Sequence, residues 1–440
     1  MRAVVVGAGI GGLLAARVLA EHGALVTILE RDNGPAGDGH RSGVPQARHS
    51  HALLAAGANV VEDLFPGLRE ELIELGAPLF DLGESGRVLF PTGWAPLTDI
   101  GVPVQTFTRA ALENLLRARV LALPEVTLRQ DFSVEGLHLI GGEVRGVHGP
   151  SETVHADLVV VASGRTARLS KWLTEAGYDV PADIVVDSNM SYASRVASIP
   201  TDADQGWSTN NELTYAPDVR RGGVVNRVEA NKWQITLIGA SGERPPVDDE
   251  GFLAYARSLR NSAIAECVAT APSEEATYRF VGLNNRWTPY HRMNRWPDRL
   301  LCLGDAVCVL NPVYGQGMTV VALQAKVLHQ VLSRNRDLSA VVAKFRRRSA
   351  NVLRMPWIVA TSADAAWTAD EQPWTARVSQ WYFDQIVRLI PTHPAVYRRF
   401  GMVAQMLSGP GSLLHPSVVW PVIRSAVARR SEPRRSAAFP

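Results

Sequence analysis

Two glycine-rich stretches, far apart in the chain, carry the residues whose types and spacing could do chemistry. Gly7, Gly9 and Gly12 follow the apolar run Ala3-Val4-Val5-Val6 and open a segment with Leu13, Leu14, Ala16, Val18 and Leu19 at helical spacing. There a first glycine makes a tight turn, a second lets a pyrophosphate approach backbone N–H groups, and a third packs helix against strand. Glu30, at the end of the next apolar run Leu25–Leu29, is placed to accept from ribose hydroxyls, with Arg31 beside it. In the second stretch, Gly304-Asp305 ends an apolar run and delivers a carboxylate to the carboxyl edge of a strand, where open α/β sheets take their ligands. Asp305 is then an acceptor for ligand hydroxyls. After Asn311-Pro312, Gly315 and Gly317 allow close backbone approach, and the periodic run Val320 to Val331 makes this turn a helix N-terminus favouring negative charge.

Other candidates surround these stretches. Arg41, Gln46, Arg48, His49 and His51 lie between a loop rich in Gly, Asp, Asn and Pro (32–44) and a helical pattern carrying Leu53, Leu54, Ala58, Val61 and Leu64. Following the first fingerprint they suit contacts to a polyanionic ligand, with a solvated, charged helix entry as the lesser alternative. Thr108 reads as the cap of an amphipathic helix with Arg109 in its first turn, positioned for a phosphate or for solvent. No catalytic base is assigned. His291, Arg195 and His49 are the candidates, each with a structural alternative: a hydrogen-bond donor for the histidines and a strand-surface role for Arg195.

Positioning these groups requires an α/β chain. Residues 1–31 read as strand, helix, strand; 137–147 as a hairpin around Gly141-Gly142; and Ala156–Arg165 as a buried strand returning to the first sheet. Strand-like runs dominate Ile184 to Tyr290, with one helix near 250–270. The expected organisation is a first domain at 1–180 and 293–348, interrupted by a β-rich domain at 181–292. A helical segment (349–430) and a disordered tail (431–440) follow. In the helical segment Trp357, Trp367, Trp374, Trp381 and Trp420 either pack the helices onto the domains or wall an apolar cavity.

Composition narrows the classes. The 440 residues are 46% hydrophobic and 20% charged, with a net charge of +2, so no global field draws nucleic acid or an anionic membrane. Cys267, Cys302 and Cys308 lack metal-ligand spacing and fit a reducing compartment. No apolar run is long enough to span a bilayer, and no secretory leader is expected, which together predict a cytoplasmic enzyme without a metal. Oligomeric state stays open.

In order and spacing, Gly7-x-Gly9-x-x-Gly12 with Glu30, the strand Val159–Arg165 and Gly304-Asp305…Pro312…Gly315-Gln316-Gly317 resemble the FAD-dependent monooxygenases of the para-hydroxybenzoate hydroxylase fold. The resemblance covers roughly residues 1–345. More narrowly, residues 43–51, Ala162-Ser163-Gly164-Arg165 with Trp172-Leu173, Tyr192–Arg195 and Asn311–Met318 resemble a bacterial natural-product branch that includes polyether-pathway polyene epoxidases. The resemblance implies a Rossmann-like FAD-binding domain interrupted by a substrate domain. It implies that Gly7, Gly9 and Gly12 hold the FAD pyrophosphate and that Glu30 and Arg31 lie at the adenosine ribose. Arg109 would meet the phosphates or ribityl chain and Asp305 the ribityl chain, with Arg41 and Gln46 near the isoalloxazine. Pro312, Gly315, Gly317 and Met318 would form a turn whose backbone donors face the flavin pyrimidine edge.

The implied reaction uses NADPH or NADH as a transient reductant and O2 to form a flavin C4a-hydroperoxide. One oxygen atom then passes to a small apolar substrate, by alkene epoxidation or by aromatic or indole hydroxylation in secondary metabolism. Two departures from the aromatic hydroxylases stand out. Ser163-Gly164 replaces their usual Asp-Gly, which leaves the reductant open, and Cys308 stands where they often carry a His. An FAD-containing cyclase without net redox change and a prenyl-reductase-like flavoenzyme remain alternatives. A halogenase does not, because residues 1–170 contain no lysine and no Trp-x-Trp-x-Ile-Pro segment occurs.

Overall fold

Val4, Val5 and Val6 sit at the centre of a five-stranded parallel sheet, where both faces of a strand are covered and a continuous β-branched run is favoured over alternation. The computed structural model describes residues 1–33, 49–201, 203, 206–271, 273, 275–367 and 374–430. The sheet order is Leu300–Cys302, Leu158–Val161, Arg2–Val6, Leu25–Leu29 and Val126–Arg129. All neighbours are parallel, with Val6 opposite both Val161 and Leu29, and Val161 opposite Cys302. One face is covered by the helices Ile10–Glu21, Ala55–Leu64, Arg109–Leu121 and Gly317–Arg334, which bury Leu13, Leu14, Leu116 and Leu328 completely. Each such side chain contributes roughly 1.5–3 kcal/mol of transfer free energy. The other face packs on Trp172, Leu173 and Leu353, and the last of these belongs to the helix Leu338–Ala365.

The second sheet has seven strands: Tyr278–Phe280, Ser191–Ser198, Lys232–Gly239, Arg221–Val228, Thr209–Glu212, Gly86–Phe90 and Gly93–Trp94. Its pairs are antiparallel except Thr209–Glu212 with Gly86–Phe90. Two of its strands therefore come from within the 1–180 segment that the sequence assigns to the first domain. The hydrogen bonds of the last internal strand recruit them, a long-range pairing that local patterning cannot register.

Three further expectations change. The helix near 250–270 is two helices, Asp249–Arg257 and Ser262–Thr270, because Asn261 turns aside between them: its N–H donates to Glu212 Oε2 at 2.9 Å and its amide to Asn210 Oδ1 at 2.7 Å. The strand expected over Ala156–Arg165 is only Leu158–Val161, since Gly164 takes φ +73° and starts a 3₁₀ turn. The helix Leu338–Ala365 runs unbroken through position 348, with Pro356 buried within it. The hairpin is present as Gly136–Ile140 and Glu143–His148, with Gly141 and Gly142 both at positive φ. Finally, Trp374–Leu389, Pro394–Ala404 and Pro416–Arg430 form a helical cluster against Phe90, Ile100 and Val102. The tail 431–440 lies outside the described residues.

Candidate cofactor and substrate site

The first glycine turn is held from three sides. Gly7 takes φ +102°, donates its N–H to the Leu29 carbonyl at 2.8 Å, and leaves no room for a Cβ, which would stand 2.7 Å from the Ala162 carbonyl oxygen. At Gly12 a Cβ would meet the Gly7 carbonyl oxygen at 1.8 Å, whereas at Gly9 it would meet nothing within 4 Å. Gly7 and Gly12 thus close the turn, and Gly9 lines open space in front of it. The helix beginning at Ile10 has neither a side-chain cap nor an acid in its first turn, so its leading N–H groups face outward to an anion.

Glu30 is buried. Its carboxylate accepts from the Ala8 N–H at 2.8 Å and the Asp32 N–H at 3.0 Å, which ties the end of the second strand to the glycine loop. Arg31 lies more than half exposed beside it, 3.7 Å from Asp32. From the opposite side comes the helix Arg109–Leu121, capped by Thr108, whose Oγ1 accepts from the Ala111 N–H at 3.2 Å. Arg109 pairs with buried Glu113 at 3.4 Å, and Arg117 pairs with the same carboxylate at 3.5 Å while donating to the Ala8 carbonyl at 2.9 Å. Arg117 is thus the arginine bound to the glycine loop, and the sequence reading missed it. The signal was present in the Arg109-x₃-Glu113-x₃-Arg117 spacing, which stacks the three side chains on one helix face.

The second glycine stretch meets the first. After Leu300–Cys302 the chain turns at Gly304 (φ +65°), whose N–H donates to Gln324 Oε1 at 2.8 Å; Asp305 lies in that 3₁₀ turn. Leu303 and Val321 both come within 3.0 Å of where a Cβ on Gly11 would be, so the Gly-Asp turn and the first fingerprint share one crevice. Pro312–Tyr314 forms a second 3₁₀ turn, Gly315 takes φ +67°, and the helix from Gly317 through Met318 again has no side-chain cap and no acid in its first turn.

A buried network fixes this turn. Asp364, fully inaccessible on the helix Leu338–Ala365, accepts from Tyr314 OH at 2.6 Å, Asn285 Nδ2 at 2.5 Å and Asn311 Nδ2 at 3.1 Å, and Asn285 Oδ1 in return accepts from the Asn311 N–H at 2.8 Å. Desolvation pushes the Asp364 carboxyl above its ordinary value, opposed by the three hydrogen bonds. No motif marks this aspartate, since its partners come from two remote segments, Asn285 on one and Asn311 with Tyr314 on the other.

Residues 49–54 join the two sheets. The His49 carbonyl accepts from Gln234 Nε2 at 3.0 Å and Ser50 Oγ from Thr236 Oγ1 at 2.9 Å, while Leu54 N–H donates to Thr319 Oγ1 at 2.9 Å and Ala52 abuts Gly315. His49 is buried edge-on to Tyr192, with ring centroids 4.6 Å apart, and burial lowers its imidazole to about 4. His51, whose Nδ1 lies 2.7 Å from the His49 carbonyl, is lowered to about 3 by desolvation and then by Arg109. Both rings are therefore neutral at pH 7.

Arg195 does not share this face. It alternates with Ser194, whose Oγ is 2.7 Å from Thr236 Oγ1, and its guanidinium instead binds Asp249 at 3.0 Å and the Val268 carbonyl at 2.9 Å over the Phe252 ring. It clamps the two helices behind the sheet, contrary to a flavin- or substrate-facing role. His291 is likewise removed: its ring stacks on Trp287 at 5.3 Å, and burial with Arg292, Arg354 and Arg346 lowers its pKa. Cys308 is buried core with its thiol raised by desolvation. Arg41 and Gln46 lie outside the described residues.

The crevice fits FAD. Two uncapped helix N-termini converge on it, Gly9 leaves backbone accessible, and the buried Ser163 Oγ, Gln316 Oε1 and His49 Nδ1 have no partner among the described residues. The comparisons with known proteins agree. The family model described as FAD binding domain matches residues 1–335. Protein Rv3254 of Mycobacterium tuberculosis is 32% identical over 455 residues, spanning 97% of this chain and 93% of that one. A kynurenine 3-monooxygenase of Salinispora arenicola is 27% identical over 368 residues, covering 78% and 75% respectively. Among solved structures, Klebsiella pneumoniae HpxO complexed with FAD and uric acid superposes with a TM-score of 0.67 at 18% identity, over 93% of this chain and 97% of that one. Pseudomonas aeruginosa PqsL gives 0.62 at 16% identity, over 83% and 97%. With its glycine turns, parallel sheet and interrupting β domain in this arrangement, the chain belongs to the FAD binding domain family and is an FAD-dependent monooxygenase of the para-hydroxybenzoate hydroxylase fold.

Proposed function

We propose that the chain uses NAD(P)H and O2 to place one oxygen atom on a neutral, apolar natural product, by alkene epoxidation or by hydroxylation of an aromatic or indole ring, in secondary metabolism. The observation that carries this reading is the sheet face turned toward His49 and Ser50. Its Tyr192, Ser194, Gln234, Thr236 and Ile238 bring hydroxyl, amide and apolar groups, and no carboxylate, to the contact with that segment. A neutral substrate needs no counter-charge there. His49, held neutral and weakly basic, gives a phenol little help in losing its proton, whereas an alkene accepts an electrophilic oxygen without a base.

Bound FAD supplies the oxygen-activating chemistry. In this reading Gly7, Gly9 and Gly12 with the Ile10 helix N-terminus hold its pyrophosphate, Glu30 and Arg31 lie at the ribose, and Arg109 meets the phosphates or the ribityl chain. Asp305 binds the ribityl chain, and Pro312, Gly315, Gly317 and Met318 present backbone donors to the pyrimidine edge. Arg41 and Gln46 belong to the ring-side set. All three cysteines are free and buried, which supports a cytoplasmic setting, and no described helix is long and apolar enough to cross a membrane.

The test is NADH and NADPH oxidation by the purified flavoprotein with a panel of polyenes and phenols under ¹⁸O₂. Label in a polyene epoxide is the expected result. Product formed anaerobically without reductant would mean a cyclase, reduction of a double bond without oxygen uptake a prenyl-reductase-like enzyme, and a protein that neither keeps nor takes up FAD would end the reading.

A further inference from the structure

The C-terminal helices bury one stripe and leave a second apolar stripe uncovered. In Pro416–Arg430, Val418 and Val422 enter the core while Trp420, Ile423 and Val427 face outward; in Trp374–Leu389, Ile386 and Val387 are buried while Trp374, Val378 and Trp381 are exposed. Trp374 is 69% exposed, Trp420 61% and Trp381 48%, although folding normally covers at least one face of an indole. The concentration is local: 8 of the 25 exposed large hydrophobic side chains among the described residues lie between Trp374 and Val427, and three of the four exposed tryptophans are here. The two helices pack on one another, and Tyr382 OH on the first donates to the Leu413 carbonyl, in the 3₁₀ turn that leads into the second, at 2.7 Å.

The charge of this segment bears on what would cover the surface. Residues 374–430 contain seven arginines and a single acid, Asp384, in a chain whose net charge is only +2. Asp384 is occupied internally, accepting from Tyr215 OH at 2.5 Å and Gln380 Nε2 at 2.8 Å. Arg377 and Arg424 are exposed within the two apolar stripes, each beside outward-facing Val378 or Ile423. Tryptophan with arginine on the outer face of a helix too short and too polar to cross a bilayer is the composition that settles at the headgroup level of an anionic membrane. A second copy of the chain would bring the same positive charge against itself.

We propose that this helical face docks peripherally on an anionic lipid surface, with indoles in the headgroup layer and Arg377 and Arg424 on lipid phosphates. Docking of this face is independent of which substrate is oxidised. The experiment is vesicle flotation of the full holoprotein with phosphatidylcholine vesicles, with and without about 30 mol% phosphatidylglycerol. Binding is expected only with phosphatidylglycerol, released by roughly 0.5 M NaCl. Both the Trp381→Ser/Trp420→Ser and the Arg377→Gln/Arg424→Gln pairs should weaken it by about tenfold or more, with the bound-flavin absorption spectrum unchanged. A blue shift of tryptophan emission on adding the anionic vesicles provides a readout in the unmodified protein. Absence of both binding and shift overturns the proposal, as does binding that neither pair alters. Self-association abolished by Trp420→Ser without vesicle binding would assign the face to a second copy instead.

Discussion

Gly9 and Gly12 differ in what a methyl group would meet, and that difference separates a ligand-facing glycine from a folding one. Gly9 has φ −76°, open to any residue, and no atom within 4 Å of a Cβ. Gly9→Ala should therefore leave the apoprotein's thermal midpoint almost unchanged while weakening FAD binding by about tenfold or more, roughly 1.4 kcal/mol, when apoprotein is titrated with FAD. Gly12→Ala drives a Cβ into the Gly7 carbonyl at 1.8 Å and should cost on the order of 3 kcal/mol of stability with or without cofactor. Equal stability losses in the two variants would mean that Gly9 serves only the turn. His49 gives a second residue-scale prediction. Its imidazole sits at about 4 when folded, against an ordinary 6.5 when unfolded. Above pH 6.5 both states are neutral and stability is insensitive to this group. As pH falls below 6.5 the unfolded chain takes the proton and the folded one does not, so stability declines until about pH 4, by on the order of 3 kcal/mol in all. Urea unfolding at pH 7, 6 and 5 should show this slope, and His49→Gln should flatten it; an unaltered slope would assign the effect to other groups, such as His51, which shifts in the same direction.

Among the elements, the turn Pro312–Tyr314 depends most on something distant from it in sequence. Three donors from Asn285, Asn311 and Tyr314 meet one buried carboxylate, so Asp364→Ala strands all three. The expected cost is on the order of 3 kcal/mol, with weaker FAD binding because Gly315 and Gly317 lose their anchor. Thermal denaturation and FAD titration should therefore fall together, and a variant destabilised with unchanged FAD affinity would detach the network from the turn. The contrast with the first glycine turn explains what was legible. Strand, glycines, helix and Glu30 all lie within the first thirty or so residues, where apolar period and glycine spacing record the structure locally. Leu158–Val161 and Leu300–Cys302 were readable for the same reason, since parallel strands buried on both faces keep an unbroken apolar run. The recruitment of Gly86–Phe90 into the second sheet, the break at Asn261 and the choice of Asp364 are pairings between remote segments, and single residues carry no trace of their partners. Arg117 lay between these cases: its i, i+4 relation to Glu113 was visible, but not that the helix face points at Ala8.

At the scale of the whole molecule, two sheets built from interleaved parts of the chain meet across residues 49–54. That short segment holds on both sides, through Gln234 and Thr236 on the β-rich sheet and through Thr319 and Gly315 on the FAD-binding half. Each neutral hydrogen bond of this kind contributes about 1 kcal/mol. Losing one should raise the fraction of molecules in which the halves part by roughly fivefold. Thr236→Val removes the contacts to Ser50 and Ser194 with little change of shape, and Gln234→Leu leaves the His49 carbonyl without that donor. Neither residue touches the glycine turns, so the flavin content and absorption spectrum should match the unmodified protein. What should change is water exclusion at the substrate face: more hydrogen peroxide released per NAD(P)H oxidised, and less oxygenated product, with the double variant exceeding either single one. If peroxide yield stays constant while flavin content drops, the segment supports cofactor binding alone, and closure between the sheets must depend on residues elsewhere.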